Sequence, residues 1–391
     1  MKKTLCTVLA LLLILSLSAC NRADKTTGTE GTPSNTPTIT EPSSSSLPEQ
    51  TYPQDITPST FIFYPDLFDG KLQNCAYAGD GKLFVVADKL HLYDTRTASV
   101  LATTEPPLSS FYVQAIGGGY ILSGMGDDGV MAYIYDDNLS LNRELAMNEL
   151  LNGDFVFSET GVTASADGKK LAISAMRGVY LYDLESGSLT TLLDLTQNAG
   201  TSSIRISILN GLAFNQDNSQ LTFYGEGMSN PAVDGENSFS IYGSMAVDGS
   251  NPKLTKPSAY SIDEMQSRAN RLFFPQAFNQ GGGSLLWIDG QTGRENTLSF
   301  STSAEGKDGV YSSEQGNYVA TAVLGDNLTI RVYEVDSGEL LATEVIENAD
   351  STYFNRIPQV YLLDEAKTAV VILGGRISEI DTLVSTFEFG E

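Results

Sequence analysis

Residues 166–189 read ADGKKLAISAMRGVYLYDLESGSL, and the punctuation of this stretch decides the fold. Asp167-Gly168 is a turn signal that opens the short apolar run Leu171-Ala172-Ile173. Arg177-Gly178 turns the chain again into Val179-Tyr180-Leu181-Tyr182, and Asp183-Leu184-Glu185-Ser186-Gly187 hands it on to Ser188-Leu189. Gly and Asp supply the backbone angles and local hydrogen bonds of tight turns, while Val, Ile and Tyr suit a pleated surface. Turn, strand, turn, strand, turn spells an antiparallel hairpin.

Looser copies lie on both sides. Gly79-Asp80-Gly81-Lys82-Leu83-Phe84-Val85-Val86-Ala87 leads to Leu90-His91-Leu92-Tyr93-Asp94, and Gly118-Gly119-Tyr120-Ile121-Leu122-Ser123 leads to Ala132-Tyr133-Ile134-Tyr135-Asp136. Beyond the opening stretch, Leu221-Thr222-Phe223-Tyr224 leads to Ser244-Met245-Ala246-Val247-Asp248-Gly249. Ser284–Gly293 reads as a compressed fifth copy; Tyr318-Val319-Ala320-Thr321 with Leu328–Glu334, and Thr368–Ile372 with Ile377–Asp381, complete the series. About seven copies in roughly 330 residues give ~47 per copy, the length of a four-stranded propeller blade with its loops. The expected fold is therefore all-β: a β-propeller of about seven blades, with six or eight as alternatives and a pair of β-sandwiches as the main rival. The last blade should be sealed by the other end of the chain, with Thr60-Phe61-Ile62-Phe63-Tyr64 pairing beside Val384–Phe389, which removes two free sheet edges.

The D-G-K-x-L turn-strand and the Y-D-x-x-S/T-G-x-L strand-turn resemble bacterial β-propellers of the WD-repeat-like, TolB-like and quinoprotein-like kind. The resemblance covers most of Ser59–Glu391, although the second, fourth and fifth copies are degenerate. These motifs recur in propellers of unrelated activity, so they imply a scaffold and no particular chemistry.

Two stretches interrupt the rhythm. Residues 225–240 (GEGMSNPAVDGENSFS) read as a polar loop inserted in the fourth copy. Ser261-Ile262-Asp263-Glu264, followed by Met265, Ala269 and Leu272, has the S-x-x-E form of a capping box, which predicts a short helix between the fourth and fifth blades. Binding residues gather on loops borne by rigid scaffolds, so both insertions are candidate functional regions.

The chain begins with Met1-Lys2-Lys3, then an apolar run Thr4–Ser18 too short to span a ~30 Å hydrocarbon core, then Leu17-Ser18-Ala19-Cys20. This resembles the lipobox of bacterial lipoproteins, which implies cleavage before Cys20 and attachment of a diacylglyceryl group to its sulfur. The expected organisation is a signal peptide over 1–19, a Ser/Thr/Pro-rich tether over 20–58 starting at the lipidated cysteine, and the propeller over 59–391. The tether has too few apolar residues to offset chain entropy; as a flexible coil its ends would lie roughly 35 Å apart. Cys6 falls in the leader and Cys20 carries lipid, so Cys75 has no partner and no disulfide is expected. The expected location is the cell membrane or outer envelope, facing outside the cytoplasm, the lipid on Cys20 being the membrane contact.

The 391-residue chain carries a formal net charge of −25, which repels phosphate backbones and excludes nucleic-acid binding. Catalytic signatures are scarce. The single histidine, His91, alternates with apolar neighbours on a strand, so neither a metal triad nor a Ser-His-Asp triad can be assembled around it with the usual motifs. Asp94, Asp136, Asp183, Asp248 and Asp289 follow strands at matching blade positions, where Asp closes turns. Asp127-Asp128-Gly129 and Asp234-Gly235-Glu236-Asn237 have oxygen-rich calcium-loop character without the D-x-D-x-D-G pattern. Trp287 sits in the apolar run Leu285–Ile288 and reads as core rather than as a sugar platform. No cofactor and no catalytic residue are expected. The reading is a monomeric, non-enzymatic binding or scaffold protein for a protein, peptide or glycan. The alternatives are a carbohydrate-active hydrolase or lyase using paired Asp/Glu, and a subunit of an envelope assembly or sensing complex.

Overall fold

The computed structural model describes residues 61–63 and, with short gaps, 74–390; the longest gaps are 347–357 and 374–382. The expected leader, Cys20 and the 20–58 tether lie outside the described residues. Seven four-stranded antiparallel sheets make a seven-bladed propeller. The first strand, β1 (Phe61–Phe63), belongs to the last blade. Blade one comprises β2 (Asn74–Gly79), β3 (Lys82–Val86), β4 (Leu90–Asp94) and β5 (Ser99–Thr104). Blade two follows with β6 (Tyr112–Ile116), β7 (Gly119–Gly126), β8 (Gly129–Asp136) and β9 (Leu141–Ala146). A single-turn helix, α1 (Met147–Leu150), leads into blade three: β10 (Val162–Ala164), β11 (Lys170–Ala175), β12 (Gly178–Asp183) and β13 (Leu189–Asp194).

Blade four contains β14 (Ile204–Phe214), β15 (Gln220–Ser229), β16 (Phe239–Ala246) and β17 (Lys253–Thr255). Blade five contains β18 (Gln266–Arg268), β19 (Arg271–Phe274), β20 (Ser284–Asp289) and β21 (Glu295–Ser299). Blade six contains β22 (Val310–Ser312), β23 (Tyr318–Leu324), β24 (Leu328–Glu334) and β25 (Leu340–Ile346). Blade seven is built from β26 (Gln359–Leu363), β27 (Thr368–Leu373), β28 (Leu383–Glu388) and, outermost, β1. Phe61 pairs with Ser385 and Phe63 with Leu383, so the two ends of the domain share one sheet as their sequences predict.

Each blade is sandwiched between two others, so its middle strands are apolar on both faces rather than alternating. On β3, Leu83 and Val85 pack with Val370 and Ile372 of blade seven, whereas Phe84 and Val86 pack with Tyr120 and Leu122 of blade two. The same arrangement repeats as seven buried clusters among the described residues, one at each blade-to-blade junction. The junction between blades seven and one closes the ring by packing as well as by strand pairing.

The structure revises three expectations. Among its described residues the capping-box stretch is not helical: Gln266–Arg268 and Arg271–Phe274 are the first two strands of blade five, while Ser258–Ser261 and Asp263 lie outside the described residues. The polar residues that obscured β18 are bonded to blade six. The compressed fifth copy is only the third strand of its blade, β20, with the turn that follows. The insertion in the fourth copy begins and ends as strand: Gly225 pairs with Ile241 and Gly227 with Phe239, and the described residues between Ser229 and Phe239 are loop. Glycine is required there, because a Cβ on Gly225 would lie 2.1 Å from the carbonyl oxygen of Ile208 on the neighbouring strand.

Candidate functional site: the axial channel

The repeated aspartates close turns. Asp94 accepts the N–H of Arg96 at 2.8 Å, Asp136 those of Asn138 and Ser140, Asp183 those of Glu185 and Ser186, Asp248 that of Ser250 and Asp289 that of Thr292. Hydrogen bonds from Ser140, Ser186 and Ser250, the largest influence in each case, hold Asp136, Asp183 and Asp248 below the ordinary 3.8. At Asp94 burial pushes upward, and the bonds from Arg96 and Thr97 outweigh it. His91 is buried on β4, its Nδ1 3.1 Å from Thr103 Oγ1 on the paired strand. Trp287 belongs to the cluster between blades five and six, with the Arg271 guanidinium 4.9 Å from its ring centre. Among the described residues no group of three or more His, Cys, Asp or Glu side chains is arranged to hold a metal ion.

Sequence reading missed the buried polar groups that fasten the connecting segments to the blades and the blades to each other. Asp154, 2 % exposed, accepts the N–H and Nε of Arg177 and the Tyr180 hydroxyl, and burial together with that bond pushes the Tyr180 phenol up to about 12. Glu305, fully buried, accepts from Thr302, Thr321 and Tyr333 and faces the Arg331 guanidinium at 3.4 Å. Two glutamines act as clasps between inner strands. Gln114 on β6 accepts from Ala164 N and Thr163 Oγ1 on β10. Gln266 on β18 donates to Val310 O and accepts from Ser312 N and Oγ on β22. Nothing in composition or spacing distinguishes these residues from surface polar ones, because their partners lie across a folded connection or on the next blade.

What remains is the axis. A cavity of about 450 Å³ is walled by the innermost strands of blades one, two, five, six and seven. Its polar wall comprises Tyr112, Glu264, Gln266, Arg268, Asp308, Tyr311, Ser312, Glu314, Gln359 and Tyr361; Ala76, Phe111, Val113, Val310, Val360 and Leu362 are among the apolar lining. Chain direction orders the charges. Glu264 and Asp308 precede β18 and β22, so they stand at the mouth where the inner strands begin. Arg268 ends β18 and Glu314 follows β22, which puts both toward the opposite mouth. There a second cavity of about 310 Å³ is lined by Asp80, Arg96, Glu314, Gln315, Leu363, Asp364 and Glu365, and Glu314 borders both spaces.

Carboxylates and phenols set the electrostatics of the channel wall. Crowding in the channel raises the Tyr112 phenol, with the Glu264 charge adding to the rise and the Arg268 charge opposing it. Burial also raises Tyr311, and the negative charges of Glu264 and Asp308 reinforce it. Both phenols are therefore neutral at physiological pH; the Tyr311 hydroxyl donates to Pro358 O. Arg268 is held by the carbonyl oxygens of Ser312 and Ser267. The wall thus offers carboxylates, phenols and one anchored guanidinium, without a thiol or imidazole among its lining residues.

No protein-family model and no curated protein sequence matches the chain. Solved structures do: the β-propeller domain of Cps50 (Swd1) from Myceliophteria thermophila aligns with a TM-score of 0.56 at 10 % identity, covering 83 % of this chain and 98 % of that one. At that identity the likeness is one of fold alone, and it places the chain among WD-repeat-like seven-bladed propellers in architecture.

Proposed function

We propose that the chain is a lipid-anchored, extracytoplasmic β-propeller that works as a non-enzymatic binding scaffold for a protein, peptide or glycan, with the axial channel as its ligand mouth. The observation that carries this reading is the contrast in how polar side chains are used. The repeated aspartates, Asp154, Glu305 and the two clasping glutamines hold structural hydrogen bonds, whereas the 450 Å³ axial space is walled by partly exposed carboxylates and tyrosines. Concave sites with a few convergent polar groups on a rigid scaffold are the usual places for ligands.

Lipid attachment at Cys20 would hold the scaffold to the membrane, since two or more acyl chains anchor stably where one does not. The test of the anchor is Cys20→Ala, which should release the protein into the medium with the mass of the unprocessed or unlipidated chain; retention at the membrane with unaltered mass contradicts it. The test of the channel is Tyr112→Ala, which should abolish co-purification of the ligand after mild crosslinking while leaving the fold intact.

A carbohydrate-active hydrolase or lyase keeps one specific foothold, namely that Glu264 and Asp308 line the same cavity. Carboxylate-pair glycoside hydrolysis needs such residues within ~10 Å of each other on either side of the scissile bond. Polysaccharide cleavage by the wild-type protein that disappears in Glu264→Gln would establish that reading in place of the first.

A further inference from the structure

We infer that the group the channel receives is a cation on an aliphatic stem, the side chain of a lysine or arginine in an extended peptide. This rests on the axial channel being the binding site and goes on to name what enters it.

The inference follows from the cavity's shape and lining taken together. The volume of the space, about 450 Å³, exceeds what one long side chain fills. At the mouth where the inner strands begin, Glu264 and Asp308 stand beside Tyr112 and Tyr311, and both carboxylate charges are felt at the Tyr311 phenol. Asp308 Oδ2 accepts one backbone N–H, that of Leu324 at 3.2 Å. Glu264 Oε1 accepts the Gln266 amide at 3.2 Å. An ionised carboxylate has about four acceptor positions, so Asp308 can take further donors beyond that backbone N–H. Aromatic rings beside the carboxylates add faces over which an ammonium or guanidinium is attracted, and Phe111 and Val113 supply apolar wall for the methylene stem.

The charge continues into the second cavity, which shares Glu314 with the first. Across the two cavities that meet at Glu314, the lining holds the carboxylates Glu264, Asp308, Glu314, Asp80, Asp364 and Glu365 against the guanidinium groups of Arg268 and Arg96. Arg96 is itself engaged by Asp94 and Asp80, and Arg268 by carbonyl oxygens. The lining is net negative, and a cleft with low-dielectric walls focuses such a field on a ligand of opposite sign. An acidic side chain would have to lose its hydration next to a majority of carboxylates, with the one guanidinium of that cavity, Arg268, already held by carbonyl oxygens.

The experiment uses the full chain, immobilised, and randomised hexapeptide libraries that differ only in one fixed central residue: lysine, arginine, norleucine or glutamate. At ~0.15 M salt, where long-range surface attraction is screened, the lysine or arginine library should be retained at least tenfold over norleucine and glutamate. Glu264→Gln combined with Asp308→Asn should erase that preference. Glu185→Gln, which removes a charge from an exposed turn of blade three, should leave it within twofold. Matching unfolding midpoints for all variants show that the fold is retained. Equal retention of all four libraries, retention of none, or a preference that survives the double variant overturns the inference. If norleucine or glutamate peptides bind instead and Tyr112→Ala releases them, the channel is still the binding site and only the cationic ligand is wrong.

Discussion

Blade three and blade five have the same four strands and opposite sequence characters. Blade three announces itself with Asp-Gly and Arg-Gly turns around Leu171–Ala175 and Gly178–Asp183. Its inner strand, β10, is buried throughout. Blade five hides its inner strand behind Gln266, Ser267 and Arg268, which have neither apolar alternation nor β-branching. The difference is one of neighbours. The inner strand of blade three packs into the cluster shared with blade two. That of blade five borders the wide part of the channel, so its side chains face polar space and the next blade's edge. Local rules fail in blade five because its inner strand answers to polar space and inter-blade bonding rather than to strand propensity.

That comparison can be strained in several ways, beginning where the effect should be greatest. Glu305→Ala leaves buried donors and a largely buried guanidinium without their acceptor and should lower the unfolding free energy by ~3–5 kcal/mol in urea titrations, and Asp154→Ala, whose partner Arg177 is exposed, by ~1–3 kcal/mol. A loss under ~1 kcal/mol at either residue would show that these carboxylates are not the fasteners described. Gln266→Ala should cost ~1–3 kcal/mol, because Ser312 N and Oγ and Val310 O lose a buried partner. A neutral result would make the blade-five inner strand a passive wall.

Acid should act next, and on the regular turns. Asp136, Asp183 and Asp248 have folded-state pKa values below their ordinary 3.8. Their stabilisation is therefore complete above the unfolded value and disappears as pH falls through the lower folded values. The urea midpoint should be level from pH 7 to about 5 and fall below about pH 4; Asp136→Asn with Asp183→Asn should soften that fall. A midpoint that declines instead between pH 7 and 5 contradicts the assignment. The smallest effect belongs to the channel: Tyr112→Ala and Glu264→Gln should change stability by no more than ~0.5 kcal/mol, since both residues are exposed to the axial space. A large loss would recast them as structural.

Much of the ring was legible in the chain. The second and third strands of the regular blades can be read from Leu83–Val86, Leu171–Ile173 and Leu328–Glu334, because burial on both faces forces apolar runs between Gly and Asp turns. The pairing of the Phe61 segment with the final strand was also legible, since a closed ring needs that partner. Inner strands were not, being as short as Gln266–Arg268 and Val310–Ser312 and dictated by contacts between blades. The candidate site shares that blindness: Tyr112, Glu264, Asp308 and Glu314 are separated by up to roughly 200 residues and converge only on the axis. Asp183 and its equivalents drew attention for the opposite reason, as a repeated pattern whose whole content is turn geometry.

The central claim is that the axis, and not the outer turns, meets the ligand. A photo-crosslinking amino acid placed at Tyr112 in the full chain, expressed in intact cells, tests it against the same group at Glu185 on the exposed turn of blade three. The account predicts a discrete adduct at 112, lost when Asp308→Asn and Glu264→Gln are added, and none at 185. Adducts of equal yield at both positions, or at 185 alone, would contradict it.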